Sequence, residues 1–341
     1  MEYSLIRSPA EMDGLGAEWN ALLAESASHV PFLRHDYLRI WYKTLGGGEW
    51  QLGELAIVVA RDKGRLAGIA PFFLTRNREG EPALMLLGSI EISDYLDLIV
   101  READTQAFVS GLLDFLEHAD LPEWHLLDLY NILDSSSTLD ALEKAAAARG
   151  WIFSQYQLQH SPYIDLPGDW ETYLAGIDKK QRHEIRRKLR RIEESPFPVS
   201  WYIVQDDANL DAEIDDFLRL MINDAEKAGF MTGDMHTTFI EMARCAFREK
   251  CLNLSFLEIN GQKAAACFSF DYLNRIWLYN SGMDPQFMEY SPGWILTSYL
   301  LRWANENKRE QFDFMRGNED YKYRFGAVDR FVMRATLRKP A

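Results

Sequence analysis

Apolar residues recur at four-residue spacing through residues 291–307, where Ile295, Tyr299 and Trp303 share one face. Ser291-Pro292-Gly293 ahead of them predicts a helix start: a residue that can cap, then Pro at the first helical position. Residues 311–315 alternate, Phe312 and Phe314 to one side and Asp313 to the other, which predicts a strand. Arg316-Gly317-Asn318 is a turn, and a short helix with Glu319, Tyr321, Lys322 and Arg324 follows. The free N–H groups of the Ser291 helix start suit a phosphate.

Helices are predicted from Ser8-Pro9 to about residue 24, over 31–45, from Asp104 to about 118, and from Ser136 or Ser137 to Gly150. Strands are predicted at 55–60 and 66–74, joined by Asp62-Lys63-Gly64, and at 83–88, 95–100, 124–130 and 151–158. The second half repeats the order. Helices at 170–176, 179–192, 209–228 and 237–249 surround a strand at 198–204, and a hairpin at 252–259 and 263–272 turns through Asn260-Gly261. A strand at 275–282, the opening stretch and a final strand at 330–337 complete it. The repeated order implies tandem α/β domains, each a mixed, mostly antiparallel sheet flanked by helices, divided as 1–165 and 166–341.

The chain has 341 residues, 47% of them hydrophobic and 13% aromatic, ample for packed cores. A net charge of −15 argues against general nucleic-acid binding. One stretch breaks that trend. Lys179, Lys180, Arg182, Arg186, Arg187, Lys188, Arg190 and Arg191 face only Glu184, a net of +7 on a remainder of −22. Ile185, Leu189 and Ile192 form its apolar stripe. A solvated helix normally mixes signs, so this face favours an anionic ligand, and Arg182 and Arg186, one turn apart, can share a phosphate. Cys245, Cys251 and Cys267 lack CxxC spacing and suit buried thiols in a reducing cytoplasm. No paired-His spacing suggests a metal, no apolar run suggests a membrane span, and the N-terminus lacks a signal-peptide pattern, so a cytoplasmic protein is expected.

Several stretches resemble a known group. They are Lys179 to Arg182 with Arg186 to Lys188, Tyr290-Ser291-Pro292-Gly293, and Phe312-Asp313-Phe314 with Gly317-Asn318-Glu319-Asp320-Tyr321-Lys322. The first half adds Gly68 to Phe72 and Asp94-Tyr95-Leu96-Asp97. Together they resemble the BioF2-like, CelD-type acetyltransferases of the GNAT superfamily, which are similar to the FemABX peptidyltransferases with their two GNAT-like domains. The resemblance departs at one place. Where GNAT enzymes carry a glycine-rich basic loop, residues 284–290 have two acids and no glycine.

The resemblance implies an acyltransferase moving an acyl group from acetyl-CoA or another acyl-CoA, without a metal. The acceptor would be an amine or hydroxyl of a sugar or cell-envelope precursor. Aminoacyl-tRNA is the alternative donor, and a binding module of polysaccharide synthesis, a monomer or homodimer like the others, is a third reading. Lys322 is expected to supply charge at a reacting carbonyl or phosphate, from an exposed position. Asp313 is expected as a base for an amine or as a partner of a neighbour such as Arg316, Tyr321 as a general acid and Glu319 as a cap or base. Ser291, Gly293, Arg182, Arg186 and Arg316 are expected to hold the donor. Tyr279, Asn280, Asp94 and Tyr95 are expected to contact substrate.

Overall fold

The computed structural model describes residues 1–339. The chain divides into two compact units: Met1–Gln159 together with the strand Phe331–Arg338, and His160–Arg330.

The first unit begins with a strand that no pattern in the sequence announced, β1 (Glu2–Ile6). Helices α1 (Pro9–Gly14), α2 (Gly16–Leu23) and α3 (His35–Thr44) follow. Ser8 and Glu11 close a reciprocal capping box at the start of α1. Strands β2 (Glu54–Leu55), β3 (Ile57–Asp62), β4 (Arg65–Ala70), β5 (Phe72–Arg76), β6 (Pro82–Leu86) and β7 (Ile99–Val100) come next. Helix α4 (Thr105–His118), strand β8 (Leu126–Leu133), helix α5 (Ser137–Arg149) and strand β9 (Ile152–His160) complete the run. Lys63 and Gly64 turn the β3–β4 hairpin, both at positive φ, as a two-residue hairpin requires. Most of the strand expected at 95–100 is a buried loop; only Ile99–Val100 is strand.

The second unit comprises β10 (Tyr163–Asp165), α6 (Trp170–Gly176), α7 (Lys179–Glu193), β11 (Val199–Ile203), α8 (Leu210–Met221), α9 (Ala225–Phe230) and α10 (Gly233–Arg248). Then come β12 (Leu252–Ile259), β13 (Gln262–Tyr272), β14 (Arg275–Met283), α11 (Pro292–Glu306), β15 (Gln311–Asp313) and α12 (Asp320–Arg324). The last strand, β16 (Phe331–Arg338), pairs with β8, so its place in sequence is not its place in space. Val332, Ala335 and Leu337 of β16 are buried, and Arg334 reaches the buried Asp128 of β8 at 2.6 and 2.7 Å.

The first unit holds a four-stranded sheet, β1-β3-β4-β7, and a six-stranded sheet, β2-β5-β6-β8-β16-β9, with β6 and β8 parallel. The second holds one six-stranded sheet, β10-β15-β14-β13-β12-β11, in which only β14 and β15 run parallel. Alternation along its strands gives two covered faces. Leu257, Cys267 and Leu278 join the core of α6, α7 and α11. Phe268 and Tyr279 point the other way, against Phe217 of α8 and Phe239 of α10. The architecture is two mixed, mostly antiparallel sheet domains flanked by helices, a tandem GNAT-like arrangement.

One expected helix, 209–228, is two. Chain-breaking Asn223-Asp224 separates α8 from α9, and the Asp224 carboxylate caps α9 through the N–H groups of Glu226 and Lys227. Among the described residues no helix is long and apolar enough to cross a membrane.

Candidate active site

The β14–β15 ladder covers three positions, Arg275 to Trp277 against Gln311 to Asp313. There β15 stops, because the Asp313 carboxylate takes the Met315 N–H at 2.7 Å and Met315 turns the chain with φ +57. Strand β14 runs on to Met283, so the two strands part. On the other side of β14 the register with β13 slips: Leu278 faces Ser269, Asn280 faces Phe268, and Tyr279 is the extra residue. Tyr279 stacks on Phe239 at 5.7 Å and meets Phe268 edge-on at 5.5 Å. It therefore packs on the α8–α10 face, while the Asn280 side chain accepts the Ser281 N–H at 2.9 Å.

Four groups with chemistry gather beside this splay. The Asn223 amide donates to the Met283 carbonyl at 2.9 Å, pinning the α8–α9 corner to the end of β14. That corner delivers Lys227, whose Nζ donates to the Ser281 carbonyl at 2.6 Å. Burial holds the Lys227 ammonium below the usual lysine range, opposed by Asp224, Cys267 and Glu319. Cys267 of β13 pairs with Ser281 and is buried, which pushes its thiol up to about 12. Tyr321 projects from α12; burial first, then Glu319 and Cys267, raise its phenol well above the ordinary value. The Glu319 carboxylate is 59% exposed. No sequence pattern singles out Lys227, and Cys267 reads from the sequence only as a buried thiol. The capping Asp224 was the local sign that a separate helix begins two residues before Lys227.

The approach of α8 to β14 that makes the corner depends on Gly282. A Cβ there would lie 2.3 Å from the Met221 nitrogen and 2.4 Å from the Leu220 carbonyl carbon, both backbone. Gly282→Ala is expected to lower stability by roughly 1–3 kcal/mol. A urea midpoint equal to that of the parent protein would refute this.

Lys322 is not at an exposed position. Its side chain is 3% exposed, with Nζ donating to the carbonyls of Arg316 (2.8 Å), Gly317 (3.2 Å) and Met315 (3.4 Å) and pairing with Glu319 (2.9 Å). An ammonium has three protons, so these acceptors use all of them. Asp313 is fully buried, and its ion pair is with Arg330, whose guanidinium lies 4.8 Å from the Tyr163 ring centre. Arg316 lends its carbonyl to Lys322.

Helix α11 begins differently from its pattern. The 3₁₀ turn Pro285–Tyr290 precedes it, and Ser291 closes that turn by donating its N–H to Met288 (3.0 Å). Ser291 is thereby left-handed (φ 54, ψ 55) and does not cap. Its hydroxyl instead accepts from Lys188 Nζ at 3.2 Å, and Lys188 lies 4.4 Å from the Trp294 ring centre. So the basic helix α7 and the start of α11 are brought together. Arg182 and Arg186 turn elsewhere: Arg182 caps α6 through the carbonyls of Leu174 and Ala175, and Arg186 pairs with Glu171. Lys179, Lys180 and Arg190 have no carboxylate partner among the described residues. A recess of about 410 Å³ between α7 and α12 is lined by Lys180, His183, Arg187 and Arg324 together with the acids Glu184 and Asp320. A larger cleft of about 930 Å³ around Asn253 and Trp303 lies at the far end of the sheet.

The start of α11 offers fewer donors than its helix pattern implies. Pro292 has no N–H, and a Cβ on Gly293 would meet Met283 Sδ at 2.5 Å, so the methionine already lies against the first turn. Asp94 and Tyr95 belong to the first unit, where both are buried; the Tyr95 ring packs near Phe32. Among the described residues no cluster of side chains could hold a metal.

A family model described as an acetyltransferase (GNAT) domain matches residues 179–323. No curated protein matches the chain. Among solved structures, FemX is similar at 10% identity and TM-score 0.68, with 97% of each chain covered. The C-terminal domain of a putative lysylphosphatidylglycerol synthetase from Agrobacterium fabrum is similar at 11% identity and TM-score 0.58, covering 97% of this chain and 92% of that one. A tandem GNAT protein from the clavulanic acid biosynthesis pathway is similar at 13% identity and TM-score 0.51 over the full length of both chains. The chain thus has a GNAT-superfamily fold of the tandem kind, related to those of FemX and the lysylphosphatidylglycerol synthetase domain.

Proposed function

We propose that the second unit is an acyltransferase whose donor is carried by an extended polyanion, an aminoacyl-tRNA, and whose acceptor is an amine or hydroxyl of an envelope or exopolysaccharide precursor. One observation carries it: the Lys188–Ser291 contact brings the basic helix to the start of α11, and Lys179, Lys180 and Arg190 of the same helix have no carboxylate partner among the described residues. From residue 179 to residue 190 a helix spans roughly 16 Å, room for several phosphates of a nucleic-acid strand rather than one diphosphate. The missing N–H of Pro292 at the α11 start and the likeness to FemX support the same donor.

Chemically, the acceptor nitrogen or oxygen attacks the ester carbonyl, forming one bond and an oxyanion. The oxyanion collapses, the carbon–oxygen bond to the carrier breaks, and the acceptor's proton passes to the leaving oxygen. Tyr321 stays protonated through the neutral range and can hydrogen-bond that oxygen. Glu319, largely exposed and paired with Lys322, would take the acceptor's proton.

The match to an acetyltransferase domain model favours a second reading, acetyl-CoA as donor. Filter binding with aminoacyl-tRNA and thermal shift with acetyl-CoA separate them. Binding of aminoacyl-tRNA that weakens steeply with salt, and about tenfold or more in Lys179→Glu/Lys180→Glu, is expected. A thermal shift with acetyl-CoA and no tRNA binding would establish the second reading. Binding of neither would leave a binding module.

A further inference from the structure

We propose that Lys227, rather than Lys322, is the cation that meets the acyl carbonyl in the splay between β14 and β15. This rests on the acyl-transfer function proposed above.

The two lysines differ in what their ammonium protons do. Lys322 faces three carbonyls and a carboxylate, so it has nothing left for a ligand. It braces the 315–319 turn. Lys227 has one acceptor, the Ser281 carbonyl on β14. Two of its three donors therefore remain for whatever enters beside Ser281. Its position is rigid for a lysine on a short helix, because the Asp224 cap fixes α9 and the Asn223–Met283 bond fixes the corner.

The groups facing Lys227 set its charge. Asp224 lies on its own helix, Cys267 on β13, and Glu319 ahead of α12, with Tyr321 coupled to the last two. The acids favour the ammonium; burial opposes it and wins, so the ammonium is held at reduced stability. An oxyanion forming in the splay would add countercharge to that of Asp224 and Glu319, which burial outweighs. That is stabilisation gained in the transition state rather than in the ground state. The working form is the ammonium. Because its folded value lies below the usual one, turnover is present below that value and is lost as pH rises through it.

The test has two arms. In the first, Lys227→Met is expected to lower kcat about a hundredfold or more with its unfolding midpoint kept, while Lys227→Arg restores part of the rate and removes the alkaline fall. A Lys227→Met rate within about threefold of the parent overturns the inference. The second arm needs no turnover. Trace acetylation with acetic anhydride across pH, read per lysine by mass spectrometry, is expected to show Lys227 reacting at lower pH than the exposed lysines. Aminoacyl-tRNA or acetyl-CoA, whichever binds, is expected to protect it. Protection in a protein that transfers nothing would sink the acyltransfer function and keep the ligand contact. Transfer without protection, and without loss in Lys227→Met, would do the reverse.

Discussion

Asp313→Ala is expected to destabilise the second unit by roughly 3–5 kcal/mol, because it removes one partner of a buried ion pair and keeps the other charge buried. Asp313 is fully enclosed and Arg330 is only 14% exposed, so solvent cannot replace the lost partner. The carboxylate also holds the Met315 N–H at 2.7 Å, which ends β15 and opens the splay. Loss of activity would then follow loss of structure, not loss of a base. The double variant Asp313→Leu/Arg330→Met separates the two roles. It removes both charges and should recover most of the stability, since apolar replacement of a buried pair is often neutral. Urea unfolding of the single and double variants checks this. A folded Asp313→Ala protein with a parent-like midpoint and abolished turnover would return Asp313 to the role of base.

Lys322→Ala should lower stability by about 2–4 kcal/mol, where an exposed lysine would cost about half a kcal/mol or less. Three carbonyls lose a charged donor at once: those of Met315, Arg316 and Gly317. Glu319, largely exposed, can turn to water and adds little. Lys322→Arg should not restore the parent protein, because a planar fork cannot point into a converging ring of carbonyls. The measurement is the unfolding midpoint of both variants, with turnover assayed only where the fold survives. A Lys322→Ala midpoint within about half a kcal/mol of the parent would show the turn does not depend on this ammonium.

The local grammar of the chain was sufficient for most elements. Asn260-Gly261 turned its hairpin because both residues accept positive φ, and the structure has them at +54 and +72. Ile185, Leu189 and Ile192 were buried by the period of the helix that carries them. The tandem order followed from such elements alone. What failed were statements about which distant groups meet. Ser291 reads as a cap, yet the 3₁₀ turn before it forces a left-handed backbone and hands its hydroxyl to Lys188, 103 residues earlier. Arg182 and Arg186 sit one turn apart as a phosphate grip requires, but the carbonyls of α6 and Glu171 reach them first.

Tertiary structure alone decided the chemistry of the candidate site. Lysine is usually solvated, and the residue types around Lys322 and Lys227 do not reverse that prior. Lys322 is buried because the 315–319 turn wraps its carbonyls around the ammonium. Lys227 is placed because Gly282 lets α8 close on β14 to backbone contact. The final strand likewise reads as part of the second half, and only the ladder with β8 and the Arg334–Asp128 pair, 206 residues apart, place it in the first. Periodicity and turn chemistry are set over a few residues, so sequence determines them. Burial, ion pairing and the shortage of acceptors around a charge depend on how strands far apart in the chain come into register, and those quantities assigned each polar side chain its role.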